Sequence, residues 1–357
     1  MLNSEELIRY NRHFTLPQVG VEGQARLKKA KVLCVGAGGL GSPLLLYLAA
    51  AGVGTLGIMD DDVVELSNLQ RQIIYSTEDL HQSKALTAKK KLSALNPFIT
   101  VHAYNERLTE KNSLAILNDY DIIADGSDNF ATRYLINDAC FHLKKPYVFA
   151  SIYQFAGQVS IFNPDETGCY RCLFPETSEN IPDCNTGGVL GVLPGIIGSL
   201  QATELLKFIL QIGETLSGRL LTFDALTMQS KIIALSKNPE CVICTKQKTF
   251  HQLHHPQSCT SKNDDEIDMV ILQKMIAEKT DFILLDVRTP EEYASQNLNG
   301  KLIPLTELEN HIPQLDKQKL YVTHCQTGLR SAKAAEILKK HGFKVKNLQC
   351  KLKQTSE

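Results

Sequence analysis

The stretch that decides the fold is Lys31–Pro43, with the sequence KVLCVGAGGLGSP. Its first five residues are typical of a buried strand, and the glycines that follow fit the pattern G-x-G-x-x-G between a strand and a helix. No charged residue occurs from Val32 to Met59, a length that a membrane helix could also have. Seven glycines and Pro43 interrupt this run, so a strand, a glycine turn, a helix and a second strand explain it better.

The chain continues with alternating helical and strand-like patterns. The amphipathic stretch 81–97 predicts a helix, and strands are predicted at 100–107 and 120–128. From 145 to 162 the pattern changes to that of paired strands, and 198–210 is an apolar helical stretch. This alternation predicts the α/β fold class, with a largely parallel sheet that is covered by helices on both faces.

A polar stretch without apolar periodicity separates this part from the rest of the chain. After it, a strand, a helix, a second strand and a second helix predict a smaller α/β unit. We therefore predict two domains, at residues 1–248 and 266–357, joined by a linker at 249–265.

Composition excludes several classes of function. The 38 basic and 39 acidic residues give a net charge of -1, which argues against a protein that coats nucleic acid. The N-terminal residues include acidic side chains and no apolar core segment, so they do not resemble a secretory signal. We expect a soluble, cytoplasmic protein that binds neither nucleic acid nor a membrane.

The glycine fingerprint predicts a nucleotide site. Glycines at Gly36, Gly38, Gly39 and Gly41 let a backbone approach phosphate groups, and the following helix offers free N–H groups at its N-terminus. Asp60 closes the second strand about twenty residues further on, where a carboxylate can hold ribose hydroxyls. The fingerprint alone would suit NAD or FAD.

Three charged residues beyond the fingerprint favour phosphate chemistry over hydride transfer. Arg71 lies in SNLQRQ, Lys84 begins a predicted helix, and Asp128 lies in GSDN at the end of a predicted strand. Ligands of open α/β sheets bind at the carboxyl ends of the strands, so Asp60 and Asp128 can converge there. Cations beside phosphates and an acid that holds Mg²⁺ make up a phosphate-activating site, whereas each residue alone could be a surface charge.

Two cysteine pairs predict a metal site. Cys169-x-x-Cys172 and Cys241-x-x-Cys244 have the spacing of a tetrahedral Cys₄ zinc site. The long gap between the pairs means that one ion would tie two distant segments together. Four protein ligands leave no open position on Zn²⁺, so its role would be structural. Two disulfides or unligated thiols are the alternatives.

Seven motifs over about residues 5–246 resemble the MoeB/ThiF family, bacterial relatives of ubiquitin-activating enzymes. They are RYNRH, VGAGGLGSP, SNLQRQ, GSDN, CYRC, GSLQATELLK and NPECVIC. The resemblance implies a Rossmann-like nucleotide-binding sheet with structural zinc. It also implies the adenylation, with ATP and Mg²⁺, of the C-terminal glycine of a ubiquitin-like sulfur-carrier protein.

The resemblance further implies roles for individual residues of the ATP site. Gly38, Gly39 and Gly41 would line the ATP phosphates, and Asp60 would bind the ribose. Asp128 would hold Mg²⁺ and be essential.

Five more residues receive roles from the resemblance. Asn68, Arg71 and Lys84 would contact ribose and phosphates. Arg12 matches an arginine that reaches into the partner's active site in the family's homodimer. Cys184 matches a cysteine that bonds covalently to the carrier in some relatives and is dispensable in others.

The second unit contains a different candidate site. Cys325 and Arg330 lie in HCQTGLRS, between a predicted strand and a predicted helix, where N–H groups and the helix dipole favour a thiolate or a persulfide. Four residues separate the cysteine from the arginine, one fewer than in tyrosine-phosphatase loops. With Asp286 and Arg288 in the upstream LLDVR, the loop resembles that of a rhodanese domain, whose cysteine carries sulfur as a persulfide.

This resemblance is incomplete. The chain has Gln349–Leu352 where rhodanese domains usually have paired glycines and an aromatic residue, and the segment 293–305 lacks the usual His-Ile pair. We expect Cys325 to pass sulfur to the adenylated carrier and give a thiocarboxylate. The alternatives are an inactive rhodanese domain, an NAD-dependent oxidoreductase and a non-catalytic zinc scaffold. The carrier could serve molybdopterin, thiamin or tRNA thiolation, and the sulfur donor is open.

Overall fold

The computed structural model describes residues 2–164, 166–175, 188–246, 248–250, 266–267, 269–278, 280–326 and 328–348. They fall into two compact units, residues 1–258 and 259–357.

An eight-stranded sheet forms the centre of the first unit. Its strands follow the order β3-β2-β1-β4-β5-β6-β7-β8. The strands from β3 to β5 in this order are parallel, and β5 to β8 pair in antiparallel fashion, which confirms the predicted parallel sheet and the strand pair after residue 145. The strands are β1 Lys31–Val35, β2 Thr55–Met59, β3 Thr100–Tyr104, β4 Ile122–Asp125, β5 Tyr147–Tyr153, β6 Ala156–Phe162, β7 Arg219–Asp224 and β8 Gln229–Ala234.

Helices cover both faces of this sheet. Strand β1 shows why, because its side chains alternate between two apolar cores: Val32 and Cys34 pack into one, Leu33 and Val35 into the other. The described helices of this unit are α1 Ser4–Arg9, α2 Asn11–Phe14, α3 Gly20–Lys29, α4 Gly41–Ala51, α5 Lys84–Leu95, α6 Glu110–Asn118, α7 Phe130–His142, α8 Tyr170–Leu173 and α9 Leu193–Leu210.

The uncharged run from Val32 to Met59 consists of β1, the glycine loop, α4 and β2, as predicted. A second apolar segment, α9, has the length and composition of a membrane span, and 50% of it is buried inside this unit. It packs against α4, β5 and β6, so it is a core helix of the unit.

The strand order places a switch point at β1. The chain proceeds from β1 to β2 and β3 on one side and to β4 and β5 on the other. In open α/β sheets, ligands bind at such a point, beyond the carboxyl ends of the strands. The glycine loop after β1 and the polar residues after β2 and β4 therefore meet at one edge.

The second unit has its own sheet and core. Five parallel strands follow the order β11-β10-β12-β13-β9, so the first strand of the unit along the chain pairs with the last. The predicted strand-helix-strand-helix pattern is confirmed as β10, α11, β12 and α13. The elements are β9 Glu266–Ile267, α10 Met269–Ala277, β10 Phe282–Asp286, α11 Pro290–Ser295, β11 Lys301–Leu302, α12 Leu308–His311, β12 Leu320–His324, α13 Leu329–Lys340 and β13 Lys344–Leu348.

Candidate functional site

A cavity of about 300 Å³ opens beyond the carboxyl ends of β1, β2 and β4. This volume is at the lower end of the range for small-molecule sites. Of the residues singled out in the sequence, the cavity is lined by Gly36, Gly38, Gly39, Asp60, Arg71, Lys84 and Asp128.

The glycine loop has two functions in the structure. Gly36 has φ +95°, and a Cβ there would lie 2.6 Å from the backbone of Gly126, so two loops touch at this point. A Cβ on Gly41 would lie 2.1 Å from the carbonyl oxygen of Gly36, and Gly41 does not line the cavity. Gly41 therefore allows α4 to pack closely against the loop.

Gly38 and Gly39 face the cavity. The nearest atom to a Cβ on Gly38 would be Nε2 of Gln72, at 3.5 Å, so this side of the loop is open. Within the described part of the chain, the N–H groups of Gly38 and Gly39 donate to no protein acceptor. Helix α4 begins after Leu40, without a side-chain cap. These features make the loop suitable for an anion.

Asp60 braces the loop from the end of β2. Its Oδ2 accepts a hydrogen bond from the N–H of Ala37 at 2.8 Å, and its Oδ1 accepts one from the N–H of Asp62 at 2.9 Å. Burial raises the pKa of Asp60, although Lys84 and the two hydrogen bonds act in the opposite direction. One carboxylate thus fixes the loop and faces the cavity.

Two predicted cations lie on the cavity wall. Lys84, the first residue of α5, is 5% exposed, and its Nζ lies 2.9 Å from Oδ2 of Asp62. Arg71 donates from Nη1 to the carbonyl oxygen of Ser67 at 3.0 Å, which leaves the rest of its guanidinium for a ligand. Both side chains can offset negative charge beside the glycine loop.

Asp128 is one of four exposed acidic residues that line the cavity, with Asp61, Asp62 and Glu106. Its Oδ1 accepts one long hydrogen bond, from Nδ2 of Asn129 at 3.5 Å. Carboxylate oxygens with few protein donors are suitable ligands for a hard cation such as Mg²⁺.

The sequence analysis did not identify two buried charged residues near this cavity. Asp125 ends β4 with no exposure, and it accepts hydrogen bonds from the N–H and Oγ of Ser127 and from the hydroxyl of Tyr147. Burial raises the pKa of Asp125, whereas the charge of the nearby Arg133 acts to lower it. Arg133 lines the cavity, stacks on Phe130 and lies 4.0 Å from Asp125. A charged residue at the end of the apolar IIAD strand was the available signal for Asp125.

Two predicted residues of this unit lie away from the cavity, and a third falls outside the described residues. Asn68 does not line the cavity; it is 8% exposed, and its Oδ1 accepts a hydrogen bond from the N–H of Glu65 at 3.2 Å. Arg12 is exposed on α2 and does not line the cavity either. Cys184 lies outside the described residues.

The four cysteines of the predicted metal site are brought together. The sulfur atoms of Cys169, Cys172, Cys241 and Cys244 all lie within 4.8 Å of one another. The Sγ atoms of Cys169 and Cys241 are 3.7 Å apart, too far for a disulfide. About 3.8 Å is the separation expected for two thiolates on a tetrahedral Zn²⁺ with Zn–S bonds of about 2.3 Å. The donor set therefore fits zinc.

Cys325 directly follows β12 in the second unit and is 1% exposed. Its Sγ accepts hydrogen bonds from the N–H of Gly328 at 3.2 Å and from the N–H and Oγ of Ser331 at 3.4 and 3.5 Å. Gly328 takes a positive φ of 87°, which turns the chain into α13. The loop thus surrounds one sulfur atom with donors that stabilise negative charge.

Two ion pairs surround this loop. Arg330 donates from both terminal nitrogens to Glu292, at 2.7 and 2.6 Å. Arg288 donates to Asp286 at 2.6 Å, and both residues are buried. His324 is fully buried 3.5 Å from Asp286; burial lowers its pKa, so the ring is neutral at pH 7. Sequence analysis gave Glu292 no role.

Two protein-family models match the chain. The ThiF family model matches residues 10–243, and the rhodanese-like domain model matches residues 269–354.

Named relatives align over much of the chain. It is 43% identical over 354 residues to a "Probable adenylyltransferase/sulfurtransferase MoeZ" of Mycobacterium tuberculosis, covering 96% of this chain and 90% of that protein. It is 53% identical over 256 residues to a "Sulfur carrier protein adenylyltransferase" of Thermus thermophilus, covering 70% of this chain and 94% of that protein. The crystal structure of E. coli MccB with ATP aligns with a TM-score of 0.59 and 25% identity, over 68% of this chain and 75% of that chain.

Proposed function

The chain belongs to the ThiF family, and from this premise we propose that it activates a ubiquitin-like sulfur-carrier protein with ATP and then transfers sulfur to it. In the first step, the carboxylate of the carrier's C-terminal glycine attacks the α-phosphorus of ATP. A bond forms between the carboxylate oxygen and phosphorus, the bond to the bridging oxygen breaks, and pyrophosphate leaves. The product is an acyl-adenylate.

The observation that carries this proposal is the composition of one cavity. Free N–H groups of Gly38 and Gly39, the cation Arg71 and the exposed carboxylate of Asp128 all face it. The nucleophile is already ionised at neutral pH, so the reaction needs no general base. It needs position and charge stabilisation, which these groups provide.

We assign the phosphates of ATP to the open side of the glycine loop. Arg71 and Lys84 would offset the charge of the departing pyrophosphate, and Asp60 would receive the ribose hydroxyls. Gly41 acts by allowing α4 to lie close to the loop, so its contribution to ATP binding is indirect. Asn68 would act from beside the cavity, by holding the turn that carries Arg71.

Asp128 is the residue that we assign to Mg²⁺. Its exposed carboxylate has one long protein hydrogen bond, and oxygen is the donor that Mg²⁺ prefers. When bound, Mg²⁺ would neutralise negative charge on the phosphates. We likewise assign Zn²⁺ to the four clustered cysteines. This ion would be structural because no ligand position is left for a substrate.

The second unit supplies the sulfur in this proposal. Cys325 would carry a persulfide, held by the N–H groups of Gly328 and Ser331. The terminal sulfur attacks the acyl carbon of the adenylate, the carbon–oxygen bond breaks, and AMP leaves. A second thiol then attacks the Cys325 sulfur, releasing the carrier thiocarboxylate and leaving a disulfide that a cellular thiol reduces. Cys184 is our candidate for a residue that aids the transfer by bonding covalently to the carrier.

The remaining assignments follow from the same reading. We propose a homodimer in which the exposed Arg12 reaches the partner's cavity, and a carrier that ends in Gly-Gly. We place the domain boundary at 249–265, between the ranges matched by the two family models. A cytoplasmic location fits a persulfide chemistry that needs reduced thiols.

ATP–pyrophosphate exchange tests the adenylation step. Purified protein is mixed with each candidate carrier ending in Gly-Gly, and exchange is compared with that of Asp128→Ala and Asp119→Ala. Asp119 is an exposed residue outside the cavity, so its loss controls for the change of charge. We expect carrier-dependent exchange that falls at least about 100-fold in Asp128→Ala alone. Bound ATP without exchange for every carrier would refute the proposal.

A further inference from the structure

Two arginines surround the Cys325 loop, and a carboxylate neutralises each of them. Arg288 and Asp286 are 1% and 0% exposed, and Arg288 also donates to the carbonyl oxygen of Gln296 at 2.6 Å. This pair is fixed beneath the loop, out of reach of a molecule that arrives from solvent. The pair cancels its own charge.

The other pair can be reached from solvent. The side chains of Arg330 and Glu292 are 36% and 34% exposed. Hydrogen bonding from Arg330 lowers the pKa of Glu292 to about 2, so Glu292 stays ionised at neutral pH. Hydrogen bonding to Glu292 also raises the pKa of Arg330, and the charge of Cys325 contributes in the same direction. Arg330 directly precedes Ser331, whose N–H and Oγ lie 3.4 and 3.5 Å from Sγ of Cys325, so it is close to the reactive sulfur along the chain.

The four charges add up to zero around a cysteine that must accept a sulfur atom. A small dianion such as thiosulfate would gain most from an unpaired Arg330, because attraction between charges grows with the charge of the ligand. A persulfide has at most one charge, so its approach gains less from an unpaired arginine. The cancelled charge therefore affects the two kinds of donor unequally.

We propose that Glu292 is a specificity-determining residue of the sulfur-transfer step. By occupying both terminal nitrogens of Arg330, it suppresses the use of small dianionic donors and favours donors that carry their sulfur as a persulfide. This inference rests on the proposed function, because it assumes that Cys325 accepts sulfur.

The chemistry of loading is the same for both donors. With thiosulfate, the Cys325 thiolate attacks the outer sulfur, a new S–S bond forms, and sulfite leaves with the electron pair of the old bond. With a persulfide, the thiolate attacks the outer sulfur and the donor's thiolate leaves. No oxidant or reductant is consumed in either case. The donors differ in the charge that must approach the loop.

The experiment measures the loading of Cys325 in the full chain. The protein is mixed with thiosulfate or with the persulfide of N-acetylcysteine methyl ester, whose only charge is on sulfur. Mass spectrometry of the Cys325 peptide then gives the rate at which an extra sulfur appears. Glu292→Gln keeps an oxygen for the N–H of Thr289, which Glu292 caps at 3.0 Å. Glu291→Gln is the matched control, because it removes the same charge from the exposed neighbour.

We expect Glu292→Gln to load sulfur from thiosulfate about tenfold faster, which corresponds to about 1.4 kcal/mol, while the persulfide rate changes less than about threefold. Arg330→Gln should slow loading from thiosulfate, and the double variant should return towards the original rate. Added salt should reduce the gain of Glu292→Gln, because screening weakens attraction at an exposed charge. Glu291→Gln should alter neither rate more than about twofold.

Two results would overturn the inference. An unchanged ratio of the two rates in Glu292→Gln would refute it alone, provided that the original protein loads sulfur. A gain that persists in the double variant would show that Arg330 does not mediate the effect, and would also refute it. If neither donor loads Cys325 in any variant, the sulfur-transfer part of the proposed function falls together with the inference.

Discussion

The glycine loop of the first unit and the Cys325 loop of the second have the same local architecture. Each follows a parallel strand and leads into a helix without a side-chain cap, at Leu40 in one case and Gly328 in the other. The first loop leaves N–H groups open towards a cavity of about 300 Å³. In the second loop, the N–H groups of Gly328 and Ser331 donate to Sγ of Cys325.

The difference shows how one backbone arrangement serves two chemistries. A loop with open N–H groups can take a soluble anion, and it needs a cation such as Arg71, which has no carboxylate partner among the described residues, to complete the site. A loop whose N–H groups already contact its own sulfur atom needs no further positive charge to hold it, and the two arginines near it are paired with carboxylates. The first loop is therefore built to bind, and the second to hold a reactive atom.

The largest expected effect separates the two loops completely. Replacing Cys325 with Ala removes the sulfur atom that accepts hydrogen bonds from the N–H groups of Gly328 and Ser331, so thiocarboxylate formation should fall at least about 1,000-fold. The rate of adenylation should stay within about twofold of that of the original protein, because the substitution leaves the glycine loop unchanged. Thiocarboxylate is measured by mass spectrometry of the carrier and adenylation by pyrophosphate exchange. Cys325→Ser controls for size, and a thiocarboxylate yield that survives in both variants would contradict the assignment.

The next prediction distinguishes two glycines of the glycine loop, one that permits packing and one that faces the cavity. A methyl group on Gly41 would lie 2.1 Å from the Gly36 carbonyl oxygen, so Gly41→Ala should cost about 3 kcal/mol of folding free energy or more. A methyl group on Gly38 has no neighbour closer than 3.5 Å, so Gly38→Ala should fold normally and bind ATP about tenfold more weakly. Chemical denaturation and ATP calorimetry of both variants check this. An equal loss of folding free energy in the two variants would contradict the assignment of Gly41 to packing and of Gly38 to ATP binding.

Removal of zinc should affect one unit and spare the other. The cysteine cluster lies entirely in the first unit, so Cys172→Ser should lower the thermal midpoint of that unit by several degrees. Metal analysis should give about one zinc ion per chain before the change and almost none after it. The rate of Cys325 loading should not change. Full zinc content in Cys172→Ser would rule out the four-cysteine site.

The smallest expected effect is the pH dependence of the Glu292–Arg330 pair. The folded-state pKa of Glu292 is lowered from 4.5 to about 2, so its stabilising effect is present above pH 4.5 and lost as the pH falls towards 2. Solvent screening limits this effect to about 1 kcal/mol, because the pair is one-third exposed.

Hydrogen exchange at β12 can measure this difference, and it suits a chain that contains no tryptophan. Glu292→Gln should exchange faster than the original protein at pH 7, and the difference should be smaller at pH 3, where the stabilising effect of Glu292 is partly lost, after correction for intrinsic rates. Glu291→Gln is again the control. A difference that is the same at both pH values would mean that the charge of Glu292 is not responsible.

Residues whose role depends on local spacing could be predicted from the sequence. The strand, the glycine loop and the start of the helix at Lys31–Pro43 could be predicted because their pattern lies in consecutive residues. The four clustered cysteines could be predicted because they form two C-x-x-C pairs. Parallel strand ends meet at one edge, so the convergence of Asp60 and Asp128 on one cavity was also predictable.

Residues whose role depends on tertiary packing could not be predicted in this way. Glu292 and Arg330 are 38 positions apart, and their pairing requires that α11 and the Cys325 loop meet in space. The fingerprint also does not separate a glycine that faces the ligand from one that permits packing. Gly41 was assigned to the phosphates for that reason, and the structure places it against Gly36.

The order of strands has a consequence for synthesis on the ribosome. In the first unit, β1 is central and emerges first, so later strands can be added outwards as they appear. In the second unit, β9 pairs only with β13 among the described strands, and β13 is the last of them to be made. The nascent second unit must therefore wait, with β9 unpaired, until β13 leaves the ribosome. The sulfur transfer that we propose for this unit would therefore become available only after the sheet of the first unit has had time to form.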